Sequence, residues 1–192
     1  AHGDAIWHGD LSDYGQALSA GEHPTVMAPT PKGDGYWIFT NNGRVIALGA
    51  ARHHGDLLAF DLEGGIVAAA ATPSGGGYLL VASDGGVFAL GDAEYRGSVP
   101  AVVAGPLNQP IVGVAVAPNG SGYWLVGSDG GVFAFGAPYR GSLPAVLRGP
   151  LNEPVDGMVP YGDGYLLVAS DGGVFVFSDR PFAGSLGAEP PT

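Results

Sequence analysis

The chain has 192 residues, with 7 lysines and arginines against 18 acidic residues and a formal net charge of −11. That balance argues against binding nucleic acid or an anionic membrane surface, since both need clustered cations. Cysteine is absent, which removes disulfide and thiolate chemistry, while 46% hydrophobic and 13% charged residues argue against disorder and for one compact domain over residues 1–192.

The chain starts at Ala1 without methionine, as a processed or excised segment would. No run is long or apolar enough to span a bilayer, so no membrane insertion is expected. Residues 5–10, containing Trp7-His-Gly-Asp10, read as an isolated strand, and Leu11 to Ala20 as a turn or two of helix. A first repeating unit follows, roughly residues 25–56. It holds a strand from Thr25 to Pro31, a hairpin Gly35-Tyr-Trp-Ile-Phe-Thr-Asn-Asn-Gly-Arg-Val-Ile-Ala-Leu-Gly49 and a short strand His53-His-Gly-Asp56.

Units at roughly 66–98, 111–142 and 155–185 repeat this order with stronger signals. In each, a strand A of small residues ends in proline, as in Ile66 to Pro73. Strands B and C form a hairpin, as in Gly122-Tyr-Trp-Leu-Val-Gly-Ser-Asp-Gly-Gly-Val-Phe-Ala-Phe-Gly136. Aromatic and branched residues suit its strands, and Asp-Gly suits its turn, where positive φ matches the strand twist. A short strand D closes the unit, as in Tyr95-Arg-Gly-Ser98, Tyr139-Arg-Gly-Ser142 and Phe182-Ala-Gly-Ser185. The tyrosines that open strand B, Tyr36, Tyr78, Tyr123 and Tyr165, recur at spacings of 42, 45 and 42. Such a period marks a repeat architecture. Short connections within a unit, longer ones between units and small residues on an inner strand predict an all-β fold. It is a β-propeller of about four blades, each of four antiparallel strands.

The repeated motif resembles a tandem module common in secreted bacterial proteins, matching over about residues 25–186. Its hallmarks are Gly-Tyr-Trp-Leu-Val-x-Ser-Asp-Gly-Gly-Val-Phe-Ala-Phe-Gly, then Tyr-Arg-Gly-Ser and Leu-Asn-x-Pro. In the first unit Asn41-Asn-Gly-Arg44 replaces Ser-Asp-Gly-Gly. The resemblance implies secretion or cell-wall association and propeller-like folding. It supplies no catalytic residues and no cofactor.

In a propeller meander the B–C turns and D–A links emerge on one face. That places Asp84, Asp129 and Asp171 with Asn108 and Asn152, and Arg96 and Arg140 nearby at the ends of strand D. Carboxylate and amide groups of this kind hydrogen-bond sugar hydroxyls. The same aspartates also suit the turns themselves, and the arginines suit pairing with a neighbouring carboxylate. Tyr36, Trp37, Tyr123 and Trp124 read as core. The five histidines fall within the first 54 residues, and adjacent His53 and His54 point to opposite faces of a strand, so no metal site is expected. No nucleophile-elbow, phosphate-loop or zinc-protease motif is present. The expected function is therefore a non-enzymatic secreted recognition module for a glycan or cell-surface protein. A structural or assembly spacer and a propeller-type glycoside hydrolase are the alternatives.

Overall fold

The structure is a computed structural model and describes residues 7–11 and 17–186. Residues 5–6 of the N-terminal strand and residues 12–16 of the expected helical turn lie outside the described residues. The described fold is all-β apart from short helical turns and consists of four antiparallel three-stranded sheets. The first holds β1 (Pro24–Pro29), β2 (Gly35–Thr40) and β3 (Val45–Gly49). The second holds β4 (Ile66–Ala71), β5 (Gly77–Ala82) and β6 (Val87–Gly91). The third holds β7 (Ile111–Val116), β8 (Tyr123–Gly127) and β9 (Val132–Phe135). The fourth holds β10 (Val155–Tyr161), β11 (Gly164–Ala169) and β12 (Val174–Phe177). Two single helical turns, α1 (Val99–Val102) and α2 (Leu143–Val146), lie in the links after the second and third sheets.

Both faces of the central strands are apolar because each inner sheet is sandwiched. Tyr78 and Leu80 of β5 pack toward the first sheet, and Leu79 and Val81 toward the third. Trp124 and Val126 of β8 pack toward the fourth sheet, against Tyr165 and Leu167. Burial of each such side chain is worth roughly 1.5–3 kcal/mol, which a lone hairpin cannot collect. Strands β1, β4, β7 and β10 lie side by side along the inner edge of the row. Their small residues follow from that crowding: a Cβ on Gly113 would sit 3.1 Å from the Met158 nitrogen and 3.2 Å from Gly157 Cα. Every inner strand also carries a register shift near its start, between Pro24 and Val26, Ile66 and Ala68, Ile111 and Gly113, and Val155 and Gly157.

Two expectations are corrected. The blades have three strands rather than four, because the D segments are not strands. Each carries a mid-segment glycine at strongly positive φ: 103° at Gly9, 112° at Gly55, 133° at Gly97, 127° at Gly141 and 120° at Gly184. That conformation breaks an extended ladder. Among the described residues the row also does not close into a propeller ring. Neighbouring units are tied in one direction, each to the next. Of the described N-terminal residues, Gly9 accepts from the Tyr36 hydroxyl and His8 packs edge-on against the Tyr36 ring, on the outer side of the first sheet.

The tie is the tyrosine that opens each B strand. The Tyr78 hydroxyl donates to the Gly55 carbonyl at 2.6 Å and accepts the His54 N–H at 2.9 Å. Tyr123 does the same with Gly97 and Arg96, and Tyr165 with Gly141 and Arg140. Tyr36 donates to the Gly9 carbonyl of the N-terminal segment. The backbone groups that strand D would have paired in a ladder are satisfied by a phenol from the following unit. Burial holds the Tyr165 hydroxyl up at about 12, above its ordinary 10.0. Tyr165→Phe leaves a donor and an acceptor without this partner and is expected to cost about 1–3 kcal/mol in a denaturation midpoint. The folded state keeps its proton longer than the unfolded chain, so this contribution is complete below pH 10 and fades toward pH 12. The variant should therefore lose less stability than the parent across that alkaline window.

Candidate functional site

At the B–C end of the row the Ser-Asp-Gly-Gly turn has a worked-out local chemistry. The Oδ1 atoms of Asp84, Asp129 and Asp171 accept the backbone N–H of Gly86, Gly131 and Gly173 at 2.9, 2.8 and 2.8 Å. The intervening glycines, Gly85, Gly130 and Gly172, have φ of 84°, 75° and 79°. Their carbonyls accept the N–H of Val99, Leu143 and Leu186, the first apolar residue after each D segment. Leu57 meets Gly43 in the same way in the first unit. These residues act as plugs: Leu57, Val99 and Leu143 are each 1% exposed and lie in the cores between sheets.

Each plug begins a D–A link that rises over the turn, and a shallow depression forms between link and turn. In the third unit it measures about 450 Å³. Leu143, Leu147 and Leu151 supply its apolar wall, and Gln109, Ser128, Asp129, Asn152 and Glu153 its polar groups. The second unit has a counterpart of about 420 Å³ with Glu63 and Asp84 beside Val99, Val103 and Leu107. The first unit has one of about 440 Å³ with Asn41, Asn42 and Asp61 beside Leu58, Phe60 and Leu62. Asp129 and Asn152 thus share one depression, and Asp84 lies in the neighbouring one. Asn108 is exposed and outside that lining. Asp171 occupies the corresponding turn of the fourth sheet, next to Leu186.

Arg96 and Arg140 do not join the aspartates. They stand early in their D segments, just after the C–D turns, and so at the opposite end of the sheets. Arg96 pairs with Glu94 and lines a pocket of about 320 Å³ with Thr72, Ser74, Asp92 and Asn119. Arg140 pairs with Asp163 of the next unit and lines one of about 340 Å³ with Trp124 and Pro138. In the first of these pockets Ser74 and Thr72 donate to the Asp92 carboxylate at 2.5 and 2.8 Å, holding its pKa below the ordinary value. His54 stands at the arginine position of its unit, its buried Nε2 without a hydrogen-bond partner. Among the described residues no three histidine, aspartate or glutamate side chains converge as a metal site. No helix among them is long and apolar enough to cross a membrane.

The first unit carries a polar group that the repeat pattern does not predict. Arg44 holds Glu22 through Nε–Oε1 and Nη2–Oε2 contacts of 2.7 and 3.0 Å. Thr40 Oγ1 donates to Oε1 at 2.8 Å and the Ser19 N–H to Oε2 at 2.9 Å. Every lone pair direction of the carboxylate is served. The signal was in the sequence: Arg44 stands where the later turns have glycine, and a cation beside a core needs a carboxylate.

A scan against protein-family models finds no match, and a search of curated proteins finds no similar sequence.

Proposed function

We propose that the protein is a non-enzymatic recognition module that binds a glycan through the depressions at the B–C end of its sheets. The observation that carries this reading is repetition: three successive units present similar depressions of about 420–450 Å³, each with an apolar wall and carboxylate or amide groups. A volume in that range suits one or two sugar rings. Apolar side chains cover the ring's C–H face, and Asp129, Asn152 and Glu153 accept from or donate to its hydroxyls. Regular spacing of weak sites along a rigid row gives avidity for a repeating polymer. The resemblance of the repeat to secreted modules supports an extracellular or cell-wall setting. An assembly role is the second reading, favoured by the exposed apolar side chains of Val159 and Val168 on the fourth sheet.

A glycan array probed with the purified chain tests the first reading. Binding to a polysaccharide is expected, and Asp129→Asn combined with Asn152→Ala should weaken it about tenfold for two lost hydrogen bonds. Asparagine keeps the oxygen that accepts from Gly131, so the melting temperature should stay near that of the parent. An array without hits removes the reading.

A further inference from the structure

We infer that the ring opening each D segment is a stacking platform, and that these rings form a row for an uncharged, linear polysaccharide. The row is a different surface from the depressions at the B–C end, and neither reading needs the other.

The five D segments open with Trp7, His53, Tyr95, Tyr139 and Phe182. The residue type changes from copy to copy, but a planar ring stays. The next position drifts through His8, His54, Arg96, Arg140 and Ala183. Trp7, Tyr95, Tyr139 and Phe182 are 58%, 56%, 55% and 56% exposed, and His53 is exposed as well. Among the described residues only Phe60 adds another exposed phenylalanine, tyrosine or tryptophan. A single exposed apolar residue needs no explanation. An exposed ring at the same place in every copy does, because burial does not account for it.

Local structure holds the rings. The Tyr95 hydroxyl donates to Ser98 Oγ at 3.1 Å, and the Tyr139 hydroxyl to Ser142 Oγ at 3.0 Å. His53 Nε2 stands 3.7 Å from the Asp56 carboxylate in the same relation, three residues on. Positive φ at the intervening Gly97, Gly141 and Gly55 folds each segment so that its first and fourth side chains meet. The segment itself is fixed to the following unit: Tyr123 and Tyr165 accept the N–H of Arg96 and Arg140 and donate to the next glycine carbonyl. The tip of each tyrosine is therefore tied down while more than half of the residue faces solvent. A ring placed before contact loses little freedom on binding.

Chemistry selects the partner. The face of an aromatic ring carries negative potential, and a pyranose presents weakly positive C–H groups from its flat apolar side. Arg96 pairs with Glu94 and Arg140 with Asp163, which neutralises the guanidinium charges beside Tyr95 and Tyr139. The net charge of −11 opposes an anionic chain. Stacked sheets lie about 10 Å apart, so successive rings are too far apart for one sugar and suit a chain of them. Separate rings in polar surroundings also lack the continuous apolar centre of a protein–protein interface. A rigid row of weak contacts gains avidity for a ligand that itself repeats.

Co-sedimentation of the full chain with microcrystalline cellulose and with chitin, and its retardation in native gels containing amylose, test this. The parent should bind at least one of the three. Tyr95→Ala combined with Tyr139→Ala should weaken that binding about tenfold. Tyr95→Phe combined with Tyr139→Phe keeps both rings and should stay within about twofold of the parent. Tyr95→Leu combined with Tyr139→Leu keeps apolar area without the ring and should behave like the alanine pair. Both positions are exposed, and unchanged far-ultraviolet spectra would show that the variants fold. A parent that binds none of the three polysaccharides would overturn the row, as would a leucine or alanine pair that binds like the parent. Loss of binding in Asp129→Asn with Asn152→Ala but not in the alanine pair would overturn the row and leave the depressions standing. An array of short oligosaccharides without hits, beside polysaccharide binding lost in the alanine pair, would remove the depressions and support the row.

Discussion

Gly130→Val is expected to lower the stability of the chain by more than about 3 kcal/mol, the range of the severest single substitutions. Two costs add. At φ of 75° a branched residue is strained by about 1–2 kcal/mol. The larger cost is steric. A Cβ at this position would lie 2.5 Å from Leu143 Cδ1, 2.7 Å from its Cβ and 2.8 Å from its Cγ. Leu143 is 1% exposed and anchored by its N–H on the Gly130 carbonyl at 3.1 Å, so it cannot step aside without opening the core between the third and fourth sheets. Gly120→Ala separates the two terms. Gly120 has φ of 69°, and a Cβ there would meet nothing within 4 Å. It should therefore show strain alone, about 1–2 kcal/mol. Chemical denaturation of both variants measures the difference. Equal midpoints would mean that the plug does not require the glycine.

Most of this architecture was legible in the residues because the hairpin signals are local. Asp-Gly at a fixed place between two aromatic strands sets turn, register and burial together, and Tyr123 to Val126 is buried on both faces as its composition demands. The period gave the number and order of the hairpins. What misled was strand D. Tyr-Arg-Gly-Ser reads as a short strand by composition, but the glycine turns the chain to positive φ and its partner lies in the following unit. The clue was the hydroxyl. Leucine, isoleucine and tryptophan alternate freely elsewhere in strand B, yet all four copies open with tyrosine. A buried phenol kept in every copy has a hydrogen bond to make. The same error misplaced Arg96 and Arg140: reading D as a strand carried them toward the B–C turns, whereas they stand at its beginning, beside Glu94 and Asp163. Asp129 and Asn152 line one depression because both flank features fixed by the hairpin, the turn and the start of the next inner strand.

Arg44→Ala is expected to destabilise the first unit by about 3–5 kcal/mol, because it strands a buried carboxylate rather than removing a surface pair. The Glu22 side chain is 0% exposed and that of Arg44 11%. The bidentate bond to Arg44 is the largest influence on Glu22, outweighing the upward push of burial and lowering its pKa from 4.5 to about 2, with help from Ser19 and Thr40. The sign of the pH dependence follows. The folded state holds the carboxylate ionised more readily than the unfolded chain, so the stabilisation is complete above pH 4.5 and is lost as pH falls toward 2. A depression of this size corresponds to about 3 kcal/mol lost across that window. Glu22→Gln keeps the shape and one acceptor but does not titrate. It should be less stable than the parent at neutral pH and converge with it in acid, so that the gap between their denaturation midpoints closes between pH 4.5 and 2. Midpoints that stay parallel across this range would show that the Glu22 carboxylate keeps an ordinary pKa, and that the first unit owes its stability to the apolar contacts of Trp37 and Phe39 alone.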